Sequence, residues 1–60
     1  MHVAFNLRTA AEYMEISVPT LRELLSQTDF PAFKSGRRWI IPRDALIRWL
    51  NDRAEERAQL

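Results

Sequence analysis

The sequence predicts a small α+β domain, mostly helical, with the element order helix, tight turn, helix, β-hairpin and helix. Apolar residues recur at helical spacing in three segments, and capping residues separate the first two segments by only a short turn. The only glycine lies between two short runs that are rich in aromatic and β-branched residues. Because the chain has 60 residues, we expect one domain over 1–60, with its core in 5–51 and a charged tail in 52–60.

The first helix is expected from Leu7 to Met14. Asn6 is a good N-cap, and apolar residues recur on one face at Leu7, Ala10, Ala11 and Met14. Glu15 follows at a turn position where glycine would be easier. A positive φ at this residue would cost about 1 kcal/mol.

The second helix begins almost at once. Ser17 is a strong N-cap whose hydroxyl can accept the amide of Thr20, and Pro19 then falls in the first turn, where it costs no hydrogen bond. Because a residue before proline resists the helical region, the start is left open around Val18. We expect the helix to end near Ser26 or Gln27. So short a join predicts a helix-turn-helix.

Residues 32–41 are expected to form a hairpin around Gly36. If Phe33 and Trp39 both face the core, they are cross-strand partners, and the loop is then Ser35-Gly36-Arg37. This register places Lys34 opposite Arg38. Like charges in that position are unfavourable, which favours an anionic partner for them.

The third helix is expected after Pro42, which ends the strand and suits the first position of a helix. Asp44 in the first turn complements the helix dipole. The apolar face comprises Ala45, Leu46, Trp49 and Leu50. We expect both Trp39 and Trp49 to be core residues, and the polar tail after Asn51 to be helix-prone and solvated.

The net charge is only +1, but residues 34–43 contain four cations and no acid. Such a patch attracts polyanions. Combined with the element order, it predicts a winged helix-turn-helix domain that binds double-stranded DNA, with the second helix in the major groove and the hairpin as a wing. The predicted DNA contacts are Val18, Pro19, Thr20, Arg22 and Glu23 in the second helix, and Lys34, Arg37, Arg38 and Arg43 in the hairpin and its exit.

Other classes of protein lack support in the sequence. There is no cysteine and only one histidine, and no nucleophile–base set or phosphate-binding loop is present. We therefore expect no catalytic residues, no metal site and no cofactor. Without a signal region or a long apolar run, we expect a cytoplasmic, nucleoid-associated protein that does not enter the membrane. With no apolar surface left over, we expect the free domain to be a monomer.

The chain from Phe5 to Leu50 resembles the excisionase-type DNA-binding domain, whose fold is shared with the heads of MerR-like regulators. The segments that carry the resemblance are residues 6–14 (NLRTAAEYM), 16–22 (ISVPTLR) and 31–42 (PAFKSGRRWIIP). The resemblance implies architectural DNA binding that bends DNA and biases a cognate integrase toward excision, with neighbouring copies bound along the DNA. The family usually has glycine where this chain has Glu15, and often where it has Arg37.

Several alternatives remain open on the sequence. The domain could be the head of a MerR-like transcriptional regulator, the N-terminal domain of a phage terminase small subunit, or a winged helix that binds protein instead of DNA. Exposed aromatic residues could also stack on single-stranded bases. The basic hairpin argues against protein binding, and so short a chain needs its aromatic residues for a core, which argues against base stacking.

Overall fold

The computed structural model describes residues 3–58. In chain order the elements are β1 (Ala4–Phe5), α1 (Leu7–Met14), α2 (Val18–Leu25), β2 (Phe33–Ser35), β3 (Arg38–Pro42) and α3 (Arg43–Ala58). The three strands form an antiparallel sheet in the order β1-β3-β2. This is a winged helix-turn-helix fold, as the sequence predicts.

Helix α1 has the predicted bounds because both of its ends are fixed locally. At its start, the Thr9 amide donates to the Asn6 side chain at 2.8 Å, and the Asn6 amide donates to the Thr9 hydroxyl at 3.0 Å. At its end, Glu15 adopts the left-handed conformation, with φ 58° and ψ 41°. The Ile16 amide donates to the Ala11 carbonyl at 3.0 Å, which completes a Schellman motif. The strained turn expected at Glu15 is therefore confirmed.

Helix α2 begins at Val18, immediately after its N-cap Ser17. The Ser17 hydroxyl accepts from the Thr20 amide at 3.3 Å, and Pro19 lies in the first turn, where no intrahelical donor is needed. The helix ends at Leu25, with Ser26 as its C-cap. Leu21 is fully buried and faces α1, so the two helices pack around a short turn.

The predicted hairpin register is wrong by one residue. The loop has two residues, Gly36 and Arg37, and the cross-strand pairs are Phe33↔Ile40, Lys34↔Trp39 and Ser35↔Arg38. Gly36 has φ 63°. A positive φ at the first of two loop positions is typical of a type II′ turn, whose twist matches that of the flanking strands. Lys34 and Arg38 are therefore not partners, and the expected like-charge pair is absent.

The register also changes which aromatic residues reach the core. Phe33 is 53% exposed, and Phe30, in the preceding loop, is buried in its place. Trp39 shares the inner face of the sheet with Ile41 but lies closer to the hairpin tip, beyond the residues that pack against the core. The expectation that Phe33 and Trp39 are core residues is therefore wrong.

The buried core comprises Ala10, Ala11, Leu21, Phe30, Ile41 and Leu46. Trp49 packs against it, as predicted, with its ring 4.9 Å from that of Phe30 and nearly perpendicular to it. Such an edge-to-face contact is a favourable geometry for two aromatic rings.

Strand β1 was not predicted, because two residues carry no periodic pattern. It pairs Phe5 with Ile41, and the Val3 carbonyl accepts from the Arg43 amide at 2.9 Å. This bond joins Val3 to the start of α3, whereas Met1 and His2 lie outside the described residues.

Helix α3 begins at Arg43, so Pro42 remains the last residue of β3. The helix continues through Ala58, and residues 51–57 are exposed, as expected of the tail. Arg53 nevertheless binds the body of the domain: its guanidinium lies 5.0 Å from the centroid of the Trp49 ring and donates to Asp29 at 3.2 Å. No helix in 3–58 is long and apolar enough to cross a membrane.

Candidate nucleic-acid interface

An open groove of about 550 Å³ lies where the start of α1, the middle of α2 and the wing meet. The wing is the hairpin formed by β2 and β3. The residues that line the groove are Asn6, Leu7, Arg8, Arg22, Lys34, Arg37, Arg38 and Trp39. Three separate elements therefore supply one surface, which we call the basic groove.

Local structure directs each cation toward this surface. Arg8 lies in the first turn of α1, and Arg22 is exposed beside the fully buried Leu21. On the wing, Lys34 and Trp39 are cross-strand partners, and the Lys34 ammonium lies 5.7 Å from the centroid of the Trp39 ring. An exposed cation–π contact contributes only about 0.5–1 kcal/mol, so it does not prevent Lys34 from engaging an anion.

Among residues 3–58, the cations of the basic groove have no acidic partners. The ion pairs within 3–58 involve only Arg43, which lies near Asp44, and Arg53, which contacts Asp29 and Glu56. Five cations line this one groove, and none of them forms an ion pair with a carboxylate of residues 3–58. They are Arg8, Arg22, Lys34, Arg37 and Arg38. Because like charges repel, such a cluster is most stable when an anion occupies it.

The structure brings four of the nine predicted DNA contacts together in the basic groove: Arg22, Lys34, Arg37 and Arg38. Four others lie along α2 outside it: Val18, Pro19, Thr20 and Glu23. Of these, the Thr20 hydroxyl lies 2.8 Å from that of Ser17 and takes part in the helix cap. Arg43 is the first residue of α3, beyond the end of β3 that lies away from the hairpin tip, and its guanidinium is 3.8 Å from the Asp44 carboxylate.

Sequence reasoning did not single out Arg8 or Trp39 as site residues. The sequence does contain a signal for Arg8. A cation in the first turn of a helix is disfavoured by the helix dipole, so its presence there indicates an anionic partner outside the helix. For Trp39 there was none, because a tryptophan in a strand with Ile41 is the ordinary pattern of a core residue.

Comparison with known families agrees with this geometry. Residues 5–54 match the model of a helix-turn-helix domain family, a span that runs from β1 into the last part of α3. No curated protein and no solved structure shows significant similarity to the chain. The chain belongs to this helix-turn-helix family, and that membership supports DNA as its partner.

Proposed function

We propose that the chain binds double-stranded DNA through α2 and the basic groove, and that it performs no catalytic step. The observation that carries this proposal is the convergence of five cations without acidic partners on one groove. A duplex presents phosphates along both strands, and their neutralisation by lysine and arginine supplies most of the affinity of such domains.

In the proposed complex, α2 enters the major groove and presents its exposed face to the bases. Arg22 can make a bidentate contact to guanine, and Thr20 can bond a base or a phosphate. Val18, Pro19 and Glu23 share this helix and lie beside them.

The wing lies along the adjacent backbone or minor groove. Lys34, Arg37 and Arg38 contact the strand there, because the short hairpin carries them beyond the core. Arg8 engages a phosphate from the start of α1, opposite the wing. Arg43, near the far end of β3, is a peripheral phosphate contact in this proposal.

We further propose that the protein acts as an excisionase of a phage or mobile element. Neighbouring monomers would bend DNA in the cytoplasm and bias a cognate integrase toward excision. The support is the resemblance of residues 5–50 to excisionase-type domains and the family match. A MerR-like regulator would share the fold, but it would change transcription without an effect on recombination.

Binding is tested by titrating a labelled duplex at several salt concentrations. If the five proposed phosphate contacts each neutralise one phosphate, log K should fall with log salt with a slope of about −4.5. These contacts are Arg8, Lys34, Arg37, Arg38 and Arg43. Arg22→Ala should weaken binding to the specific site by about 5- to 150-fold, with little change on scrambled DNA. Arg38→Ala should weaken binding to both duplexes and make the slope shallower by about 1.

The matched control is Arg48→Ala, which removes an exposed arginine of α3 outside the basic groove. Equal losses for Arg48→Ala and Arg38→Ala would show that the groove is not the interface. A salt-independent affinity would contradict the phosphate contacts.

The excisionase role needs a separate measurement. Energy transfer between dyes at the two ends of a duplex should rise on binding if the protein bends DNA. An integrase encoded beside the gene should then yield more excised product when the protein is added. Binding without bending or stimulation would overturn this role and leave DNA binding intact.

A further inference from the structure

Trp39 presents an indole that the core does not use. It is half-buried, yet it lies outside the residues that pack against the buried core, whereas Trp49 packs directly on Phe30. A partly exposed aromatic ring surrounded by polar groups is a common feature of binding surfaces, because it offers a large apolar area with little conformational freedom to lose.

The Trp39 side chain borders two concavities. One is the basic groove, and the other is a cleft of about 440 Å³ between the start of α1 and β3, lined partly by Phe5, Thr9 and Ile40. Arg38 borders both as well. Trp39 therefore lies between two depressions, and the basic groove beside it is lined by cations from α1, α2 and the wing.

The outer surface of duplex DNA has a matching alternation of chemistry. Its bases are paired and stacked inside, so a protein that approaches a strand meets phosphates separated by the apolar faces of the deoxyriboses. A partly exposed aromatic ring with cations near it complements that pattern. The cations meet successive phosphates, and the ring meets the sugar between them.

We propose that Trp39 is a DNA-contact residue whose indole packs against a deoxyribose of the strand that lies across the basic groove. This inference rests on the proposed duplex binding and adds an apolar contact to it. Because no ion is released by such a contact, Trp39 contributes a part of the affinity that does not depend on salt.

Two substitutions separate this contact from the charged ones. Trp39→Ala should weaken duplex binding about 10-fold, at the lower end of the loss found when an aromatic ring that stacks on a base is removed, and should leave the salt slope unchanged. Lys34→Ala, on the paired strand, should make the slope shallower by about 1. Because Trp39 lies outside the core, Trp39→Ala should keep a cooperative thermal transition.

A direct readout uses the fluorescence of the ring itself. Trp49→Phe leaves Trp39 as the only tryptophan, because the chain has two. Acrylamide is the suitable quencher, since it is neutral and DNA does not repel it. Saturating duplex should lower the quenching constant of Trp39 by more than half. In the reciprocal Trp39→Phe chain, the constant of Trp49 should not change.

A second measurement avoids substitutions at Trp49. The unsubstituted ¹⁵N-labelled chain should give two indole N–H resonances, and Trp39→Phe identifies which one belongs to Trp39. On saturation with duplex, the Trp39 resonance should shift more than that of Trp49.

The outcomes are distinct. Unchanged quenching of Trp39, at duplex concentrations where anisotropy of a labelled duplex shows saturation, would overturn the sugar contact while the proposed function stands. Protection by single-stranded DNA alone would also overturn it, because the ring would then stack on a base. Failure to bind any duplex would instead refute the proposed function.

Discussion

Glu15 is held in a conformation that side chains with a Cβ atom avoid. It is the only non-glycine residue with positive φ in 3–58, and the Schellman motif that ends α1 requires that value. The left-handed conformation costs a non-glycine residue about 1–2 kcal/mol. Glycine adopts it freely but loses about 0.4–1 kcal/mol through the greater entropy of its unfolded chain. The net gain expected from Glu15→Gly is therefore about 0.5–1 kcal/mol.

Glu15→Gly also raises the free energy of unfolding through a smaller electrostatic effect. Glu15 places a negative charge at the C-terminus of α1, where the helix dipole disfavours it, so removal of the charge contributes about 0.3 kcal/mol. For a domain of this size, 1 kcal/mol raises the melting temperature by about 4–8 °C. We expect Glu15→Gly to raise it by about 4–8 °C, as measured by circular dichroism.

The control for this prediction is Glu15→Ala, which removes the same charge and keeps the Cβ atom. Its melting temperature should rise by only about 1–2 °C, since the backbone strain remains. If the alanine and glycine variants were equally stable, the strain assigned to Glu15 would not exist, and the reasoning from its φ would be wrong.

Three further predictions concern the packing of the domain. Trp49→Ala should cost about 3–5 kcal/mol and abolish the cooperative transition, because it empties a site against Phe30; a retained transition would contradict this. Arg53→Ala should lower stability by about 1 kcal/mol through loss of its contacts with Trp49 and Asp29, and high salt should reproduce only the ionic part of that loss. Phe33→Ser should change stability by less than about 0.5 kcal/mol, and a larger loss in urea denaturation would show that Phe33 packs in solution.

The two short helices could be predicted from sequence because their signals are local. Asn6 and Ser17 lie within three residues of the amides that they cap, and the turn at Glu15 needs only the helix that precedes it. The hairpin register could not be obtained in this way. Two-residue and three-residue loops around Gly36 are both consistent with the sequence, and the choice between them decides which face Phe33 occupies.

Some residues of the basic groove could likewise be predicted from the local sequence, and others depend on how the elements pack. The basic character of the wing is visible in residues 34–38, so Lys34, Arg37 and Arg38 were identified. The position of Arg8 beside Arg22 arises only when α1 packs on α2, and no spacing in the sequence encodes it. Trp39 depends on where the core ends along β3, which the packing of the helices determines.

Strand β3 is anchored in the core at one end and forms part of the two-stranded wing at the other. Ile41 pairs with β1 and is fully buried in the core, whereas from Arg38 to Ile40 the strand pairs only with β2 and lies outside the buried core. The protein therefore has a gradient of local stability along one strand. Amide hydrogens near Ile41 should exchange with solvent only in global unfolding, and those near the tip should exchange through small openings. A two-stranded ribbon anchored at one end can also change its twist at little cost. Such a ribbon can follow grooves of different width while its base stays fixed.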